Sequence, residues 1–179
     1  AYLNTNGSSW SQNTSWLPTV TFNGDDNINS WGGHFVDLNG DGLLDVIGKE
    51  GQSQLNTGVD FATETTNWDP GAIDLVGPRA QFVDVNSDGL PDVIYMEWNG
   101  SFIRNVYVNK GDGSWVLDNS WIPPLDLIEQ PNNTDRGLRF FDVNNDGLVD
   151  AVPDYGYWYA GAHTHLNTGI GWVSTPAWD

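Results

Sequence analysis

The chain has 179 residues, enough to bury a hydrophobic core, and its 24 acidic and six basic residues give a formal net charge of −18. So few scattered Lys and Arg residues argue against nucleic acid and anionic membranes as partners, because both require clustered cationic side chains. Cysteine is absent, which excludes disulfides and thiol chemistry, and no apolar run approaches the ~20 residues of a membrane span. We therefore predict no nucleic-acid partner and no membrane insertion.

The first 30 residues predict part of a repeating unit. A Leu-Asn-Thr turn at Asn4 is followed by two tryptophans, and a similar Leu/Val-Asn turn with downstream aromatic residues recurs three times. The turn asparagines are Asn4, Asn56, Asn109 and Asn167, at separations of 52, 53 and 58 residues. A period of this length indicates a solenoid, a propeller or another repeat array.

An acidic nine-residue loop follows and occurs three times, at residues 37–45, 84–92 and 142–150. Each copy has oxygen-bearing side chains at positions 1, 3, 5 and 9 and a glycine at position 6, while the position-7 carbonyl can supply another oxygen. Ca²⁺ takes about six to eight oxygen ligands, which a tight loop can direct to one centre. An acidic β-turn is the alternative for one copy, but four converging acidic or amide groups repel one another without a cation.

Three copies therefore favour three structural Ca²⁺ sites per chain. The predicted ligands are Asp37, Asn39, Asp41, Leu43, Asp45, Asp84, Asn86, Asp88, Leu90, Asp92, Asp142, Asn144, Asp146, Leu148 and Asp150. The loops are not EF-hands, because position 12 is Gly48, Tyr95 or Pro153 rather than a bidentate Glu.

The residues around each loop predict four short strands per repeat. The first strand carries Phe35, Phe82 or Phe140 into the loop, the second leaves it, the third ends at the Asn turn, and the fourth follows that turn. No helical apolar period is sustained. We predict an all-β fold of four-stranded antiparallel β-propeller blades, with three full repeats and a partial one. The predicted boundaries of this single array over 1–179 are a partial repeat at 1–30 and calcium blades at approximately 31–68, 77–121 and 136–178.

The repeated Phe-x-Asp-x-Asn-x-Asp-Gly-x-x-Asp unit resembles the FG-GAP/VCBS repeat family. That family forms the calcium-binding blades of integrin-α-like propellers and of many secreted adhesion proteins, lectins and some polysaccharide-active enzymes. The resemblance implies the fold and the metal ligands, but says less about function, because propellers carry unrelated activities. Three repeats are fewer than the usual number of about four to eight blades. A sub-array of a longer propeller, a ring completed by self-association and an open stack all remain possible interpretations.

Calcium dependence predicts a secreted, extracellular protein, and four Asn-x-Ser/Thr sequons, at Asn6, Asn13, Asn99 and Asn132, agree with a glycoprotein. The leading hypothesis is a lectin-like module for cell adhesion or for recognition of a protein or glycan. The alternatives are a purely structural repeat of an extracellular coat, matrix or filament, and the non-catalytic part of a polysaccharide-active enzyme. Because no catalytic motif is evident, we predict that the chain is not an enzyme.

Ten tryptophans are present. Seven occupy repeat-equivalent places and predict core or inter-repeat packing: Trp10, Trp16, Trp68, Trp115, Trp121, Trp172 and Trp178. Trp31, Trp98 and the aromatic cluster at 155–159 are out of register. An aromatic face can stack on a sugar while nearby polar groups bind its hydroxyls, so Trp98, Tyr157 and Trp158 are candidate ligand contacts. The alternative for these residues is an aromatic strand or hairpin tip.

Overall fold

The computed structural model describes residues 2–5, 7–20, 33–49, 51–63, 65, 68–71, 73–75, 77–154 and 163–178. Across these residues the chain is all-β, with several antiparallel sheets and three single-turn 3₁₀ helices. The strands are β1 (Tyr2–Thr5), β2 (Ser9–Gln12), β3 (Gly33–Val36), β4 (Asp45–Gly48), β5 (Ser53–Gln54), β6 (Ala80–Val83), β7 (Asp92–Trp98), β8 (Phe102–Asn109), β9 (Trp115–Leu117), β10 (Ile128–Glu129), β11 (Thr134–Asp135), β12 (Arg139–Phe141), β13 (Asp150–Val152), β14 (Thr164–Asn167) and β15 (Trp172–Thr175). The 3₁₀ helices are Gly77–Arg79, Asn119–Trp121 and Pro176–Trp178. None of the helices in the described ranges is long and apolar enough to cross a membrane.

The prediction of an all-β fold is therefore confirmed. Two sheets have four strands in sequential antiparallel order, β6-β7-β8-β9 and β12-β13-β14-β15. A third sheet, β3-β4-β5, has only isolated bridges, Asn56 with Phe61 and Ser53 with Thr65, where a fourth strand would pair. The arrangement of these sheets as propeller blades stays a prediction.

The three sheets share one plan, in which an acidic loop joins the first strand to the second. The hairpin between the third and fourth strands also recurs with the same register. Asn109 pairs with Trp115 in β8-β9, and Asn167 pairs with Trp172 in β14-β15. The two-stranded sheet β1-β2 repeats this register, with Asn4 opposite Trp10. The recurring sequence unit therefore corresponds to a recurring structural unit.

Strand β7 lies between two hydrophobic cores. Ile94 and Met96 belong to the core shared with the third repeat, whereas Val93 and Tyr95 belong to the core shared with the first. Because successive side chains of a strand point to opposite faces, its unbroken apolar run covers both neighbours. Packing between repeats, rather than within one sheet, forms the interior of the molecule.

Candidate functional site

Each acidic loop folds around its first aspartate. In the first loop, Asp37 Oδ1 accepts hydrogen bonds from the backbone N–H groups of Gly40 (2.8 Å) and Asp41 (3.0 Å), and its Oδ2 accepts one from Gly42 (2.8 Å). Gly42 has φ +86°, a left-handed conformation that glycine adopts without steric cost. In the third loop the same bonds, chiefly the one from Gly147, lower the pKa of Asp142. The sequence thus builds a ring of backbone donors around one carboxylate.

The side chains at positions 3 and 5 join this arrangement. Asn39 Oδ1 accepts from the Asp41 N–H at 3.1 Å, and Asn39 Nδ2 donates to Asp41 Oδ2 at 3.0 Å. The corresponding amide–carboxylate pairs in the other two loops lie at 3.0 and 2.8 Å. The side-chain oxygens of positions 1 and 3 therefore accept from the same donor, the backbone N–H of position 5, and the position-5 carboxylate lies beside them.

The aspartate at position 9 faces a different set of groups. Asp92 is fully buried, and its Oδ2 accepts from the Val85 N–H at 3.0 Å while its Oδ1 accepts from the Asn109 N–H at 2.9 Å. Equivalent bonds hold Asp45 and Asp150, at 2.7–3.0 Å. We call Asp45, Asp92 and Asp150 the bracket aspartates, because each ties the start of its loop to the turn asparagine that follows or ends the third strand of the same sheet.

Burial makes two of the bracket aspartates, Asp45 and Asp92, costly to ionise. Desolvation raises the pKa of Asp92 to about 7 against the lowering effect of its two backbone hydrogen bonds, and the charges of Asp88 and Asp84 raise it further. The pKa of Asp45 is raised for the same reasons. A nearby positive charge would offset this cost.

Each loop fits a hard cation in the type of donor that it offers. In each loop, all four predicted side-chain ligands offer an oxygen atom, and three of them are carboxylates. Oxygen donors of this kind are the ligands that Ca²⁺ takes in proteins. Among the described residues, however, no group of three or more His, Cys, Asp or Glu side chains is arranged to hold a metal. The structure brings positions 1, 3 and 5 together around the backbone N–H groups of the loop, whereas position 9 accepts from N–H groups of the loop start and of the turn asparagine. The set of calcium ligands therefore stays a prediction.

Leu90, at position 7 of the second loop, has a packing role that the sequence did not indicate. A Cβ on Gly40 would lie 2.8 Å from Leu90 Cδ2, and one on Gly111 would lie 3.1 Å from Leu90 Cδ1. Leu90 is therefore close to the acidic loop of the preceding repeat and to the Asn turn of its own. These two glycines are separated by about 70 residues in the sequence, so their spacing alone could not connect them to one leucine.

Two of the side-chain hydrogen bonds between successive repeats recur at both junctions. The amide of Asn109 donates to the Leu38 carbonyl at 2.8 Å, and the Trp115 indole donates to the Trp68 carbonyl at 3.1 Å. The third repeat forms the same pair with the second, from Asn167 to Val85 at 2.8 Å and from Trp172 to Trp121 at 3.1 Å. The predicted packing role is confirmed for these tryptophans, but Trp10 is an exception because its side chain is 66% exposed.

Of the candidate ligand contacts, only Trp98 can be placed. It is half-buried at the end of β7, opposite Phe102, and the Asn133 side chain bonds both its N–H (2.7 Å) and its carbonyl (3.1 Å). Asn133 belongs to the segment between β10 and β11, a hairpin that the sequence did not predict. Tyr157, Trp158 and Trp31 lie outside the described residues.

A cavity of about 330 Å³ opens on the third repeat. Its lining residues are Gly137, Arg139, Phe141, Val152, Pro153 and Asp154. The Arg139 guanidinium pairs with Asp135 at 2.7 Å, and the hydrogen bonds from Arg139 lower the pKa of that carboxyl. The cavity therefore combines an apolar wall with an arginine whose charge is already neutralised by its ion pair with Asp135.

Comparison with known proteins supports the repeat assignment. A family model described as an FG-GAP-like repeat matches residues 82–152, which include the second and third acidic loops, and so confirms the resemblance seen in the sequence. No curated protein shows significant similarity to the chain.

Four chains of solved structures match the fold. One is an Agrocybe aegerita lectin, whose structure is the basis of its specific recognition of non-reducing terminal N-acetylglucosamine. It aligns with a TM-score of 0.50 and 21% identity over 79% of this chain and 36% of the lectin chain. At this identity the likeness concerns the fold, and this chain spans little more than a third of the lectin's length.

Proposed function

We propose that this chain, which contains an FG-GAP-like repeat at residues 82–152, is a calcium-stabilised β-propeller module that recognises carbohydrate outside the cell without catalysing a reaction. The observation that carries the recognition proposal is the shared fold with a carbohydrate-binding lectin over 79% of the chain. In repeat proteins the loops on one face of the array often form the binding surface. The recognition of a glycan by this chain is our inference from that likeness.

The calcium proposal rests on the threefold recurrence of one loop geometry. Side-chain oxygens at positions 1, 3 and 5 would hold each ion, together with the position-7 carbonyl and the bracket aspartate. Bound calcium supplies positive charge to a loop that contains three carboxylates. The residues of the chain do the rest, since the backbone N–H groups orient the position-1 carboxylate and the buried bracket fixes the loop on its sheet.

Metal stoichiometry tests the calcium proposal. We expect three Ca²⁺ ions per chain by equilibrium dialysis, and two for Asp41→Ala, because Asp41 belongs to one loop only. Asp112→Ala is the matched control, since Asp112 is an exposed turn aspartate outside the loops that accepts hydrogen bonds from Ser114. Retention of three ions by Asp41→Ala would show that the first loop is not a site.

A glycan array in calcium tests recognition. We expect binding to a defined set of glycans, with terminal N-acetylglucosamine as the first probe, and loss of binding after chelation. If Trp98 is a stacking platform, Trp98→Ala should weaken binding at least tenfold while Trp98→Tyr retains most of it. Failure to bind any glycan in calcium would reject carbohydrate recognition and leave the structural-repeat alternative.

A further inference from the structure

The second residue of the first acidic loop lies between two predicted calcium ligands, and hydrogen bonds hold the peptide groups on both sides of it. The Leu38 N–H donates to the bracket aspartate Asp45 at 2.8 Å, and the Leu38 carbonyl accepts from the side-chain amide of Asn109 at 2.8 Å. Because peptide groups are planar, these two bonds constrain the backbone dihedrals of Leu38. They therefore constrain the directions in which Asp37 and Asn39 leave the backbone.

One of these two bonds comes from the following repeat. Asn109 ends β8 of the second repeat and lies 71 positions from Leu38 along the chain. The second loop is held in the same way, since the Val85 N–H donates to Asp92 at 3.0 Å and the Val85 carbonyl accepts from the Asn167 amide at 2.8 Å. Leu38 and Val85 are both fully buried, so their carbonyls depend on these donors. A residue of the next repeat therefore completes the backbone bonding of each of these loops.

The same two asparagines also bind the loop of their own repeat. The backbone N–H of Asn109 donates to Asp92 at 2.9 Å, and that of Asn167 donates to Asp150 at 2.9 Å. Each asparagine thus contacts position 9 of its own loop through its backbone and position 2 of the preceding loop through its side chain. These bonds form one continuous series, which runs through Asp45, Leu38, Asn109, Asp92, Val85, Asn167 and Asp150.

Two further contacts show that this series is more than ordinary turn chemistry. Leu90, at position 7 of the second loop, lies close to Gly40, at position 4 of the first, so these loops also meet through a side chain. In the first repeat, by contrast, the amide of the turn asparagine Asn56 donates to Leu44 of its own loop at 3.2 Å. The turn sequence does not make the link by itself, because the link depends on the group that the amide meets.

We infer that Asn109 and Asn167 are positioning residues for calcium, each of which holds the acidic loop of the preceding repeat in its binding conformation. This inference rests on the calcium sites proposed above. A cation bound in one loop orders position 9 and, through the turn asparagine, position 2 of the loop before it. Occupation of one site therefore lowers the ordering cost at its neighbour. Such coupling is reciprocal, so the sites fill cooperatively rather than independently.

Titration of the full chain with calcium chloride, followed by ¹⁵N–¹H NMR, tests the inference loop by loop. The backbone N–H of the position-6 glycine donates to the position-1 carboxylate in every loop, so the amide signals of Gly42, Gly89 and Gly147 report the three loops separately. We expect these signals to shift together in the unsubstituted chain. Asn109→Ala should weaken calcium binding at Gly42 tenfold or more, as loss of a residue that orients metal ligands commonly does, and should change Gly147 little.

Trp115→Phe is the matched control for this titration. It removes the indole donor to the Trp68 carbonyl, a hydrogen bond of the same junction that involves no loop residue. It should leave the Gly42 titration unchanged, whereas a general weakening of the junction would affect both variants. An unchanged Gly42 titration in Asn109→Ala, or equal weakening in Trp115→Phe, would overturn the inference.

Amide hydrogen exchange in a chelator tests the positioning without the metal. The N–H groups of Leu38 and Val85 are buried and hydrogen-bonded, so their exchange requires local opening. Asn109→Ala should accelerate exchange about tenfold more at Leu38 than at Val85, and Asn167→Ala should do the reverse. Calcium shifts combined with equal acceleration at the two amides would overturn this inference alone. If calcium shifted no glycine signal, both the calcium proposal and this inference would be overturned.

Discussion

At the scale of single residues, the bracket aspartates hold each repeat together through the backbone. Asp92 reaches a loop N–H on one side and a third-strand N–H on the other, and both bonds are buried. A buried N–H without a partner costs about 1–3 kcal/mol, so a carboxylate that satisfies two of them contributes to stability even though its own burial opposes ionisation. This role does not require a metal.

We predict that Asp92→Ala lowers the free energy of unfolding by about 2–4 kcal/mol, because it leaves the Val85 and Asn109 N–H groups without acceptors. Urea denaturation in the presence of a chelator measures this loss without any contribution from calcium. Asp88→Ala is the comparison, since Asp88 is exposed and should cost much less under the same conditions. Equal losses for the two variants in chelator would contradict the bracket role.

His34 provides a second prediction at this scale. Its Nε2 lies 3.0 Å from the Leu75 carbonyl, and its ring lies 5.0 Å from that of Phe82. Burial lowers the pKa of His34 below 6.5, although the hydrogen bond to Leu75 opposes the shift. The folded pKa is therefore below the unfolded one, so the contribution of neutral His34 is complete above pH 6.5 and is lost as pH falls towards the folded pKa.

We predict that His34→Gln reduces the loss of stability between pH 7 and pH 5, as measured by thermal melts. The second repeat supplies the precedent for this control, because Gln81 occupies the equivalent position and its Nε2 donates to the Leu138 carbonyl at 3.1 Å. The other titrating groups are common to both proteins, so the difference between their pH profiles isolates His34. Superimposable profiles would show that His34 does not contribute.

At the scale of elements, the hairpin between the third and fourth strands of one repeat connects that repeat to the preceding one. Its asparagine closes the turn through Oδ1 and reaches the preceding repeat through Nδ2, as at Asn109. In the first repeat the Asn56 amide donates instead to Leu44, within the loop of its own repeat. One sequence motif therefore has different energetic consequences, depending on the neighbour that it meets.

We predict that Asn109→Ala destabilises the chain by about 2–4 kcal/mol and Asn56→Ala by only about 1 kcal/mol, because truncation of Asn109 leaves the buried Leu38 carbonyl unpaired. Denaturation of both variants at one fixed calcium concentration makes this comparison. The two variants lose the same atoms from the same turn, so only the inter-repeat contact separates them. A similar loss for both would mean that the turn, and not the junction, is what the asparagine stabilises.

At the scale of the whole molecule, strong negative charge opposes a fold built from successive repeats. The formal charge is −18, and three Ca²⁺ ions would bring it to −18 + 6 = −12. A repeat array depends on contacts between neighbours, so repulsion among nine loop carboxylates weakens the whole chain.

We predict that chelation lowers the melting temperature, because a ligand that binds only the folded state stabilises by about 2.7 kcal/mol per site at a hundredfold excess over its Kd. Sodium chloride at about 1 M should restore part of the loss by shortening the Debye length to about 3 Å. Magnesium should restore less than calcium, since it requires a smaller octahedral set of ligands. An unchanged melt on chelation would reject the structural role of calcium.

The sequence alone determined the all-β fold, the repeat period, the acidic loops and the FG-GAP-like resemblance. These are local patterns: a turn glycine, alternating apolar residues and a spacing of oxygen donors act within a few residues of one another. Only the tertiary structure decided that Leu90 packs on Gly40, that Asp92 faces backbone N–H groups, and that Trp10 is exposed while Trp115 donates to Trp68. The physical reason is that equivalent residues differ in their environment according to whether a neighbouring repeat covers them, and contacts between repeats join residues about 50 to 80 positions apart.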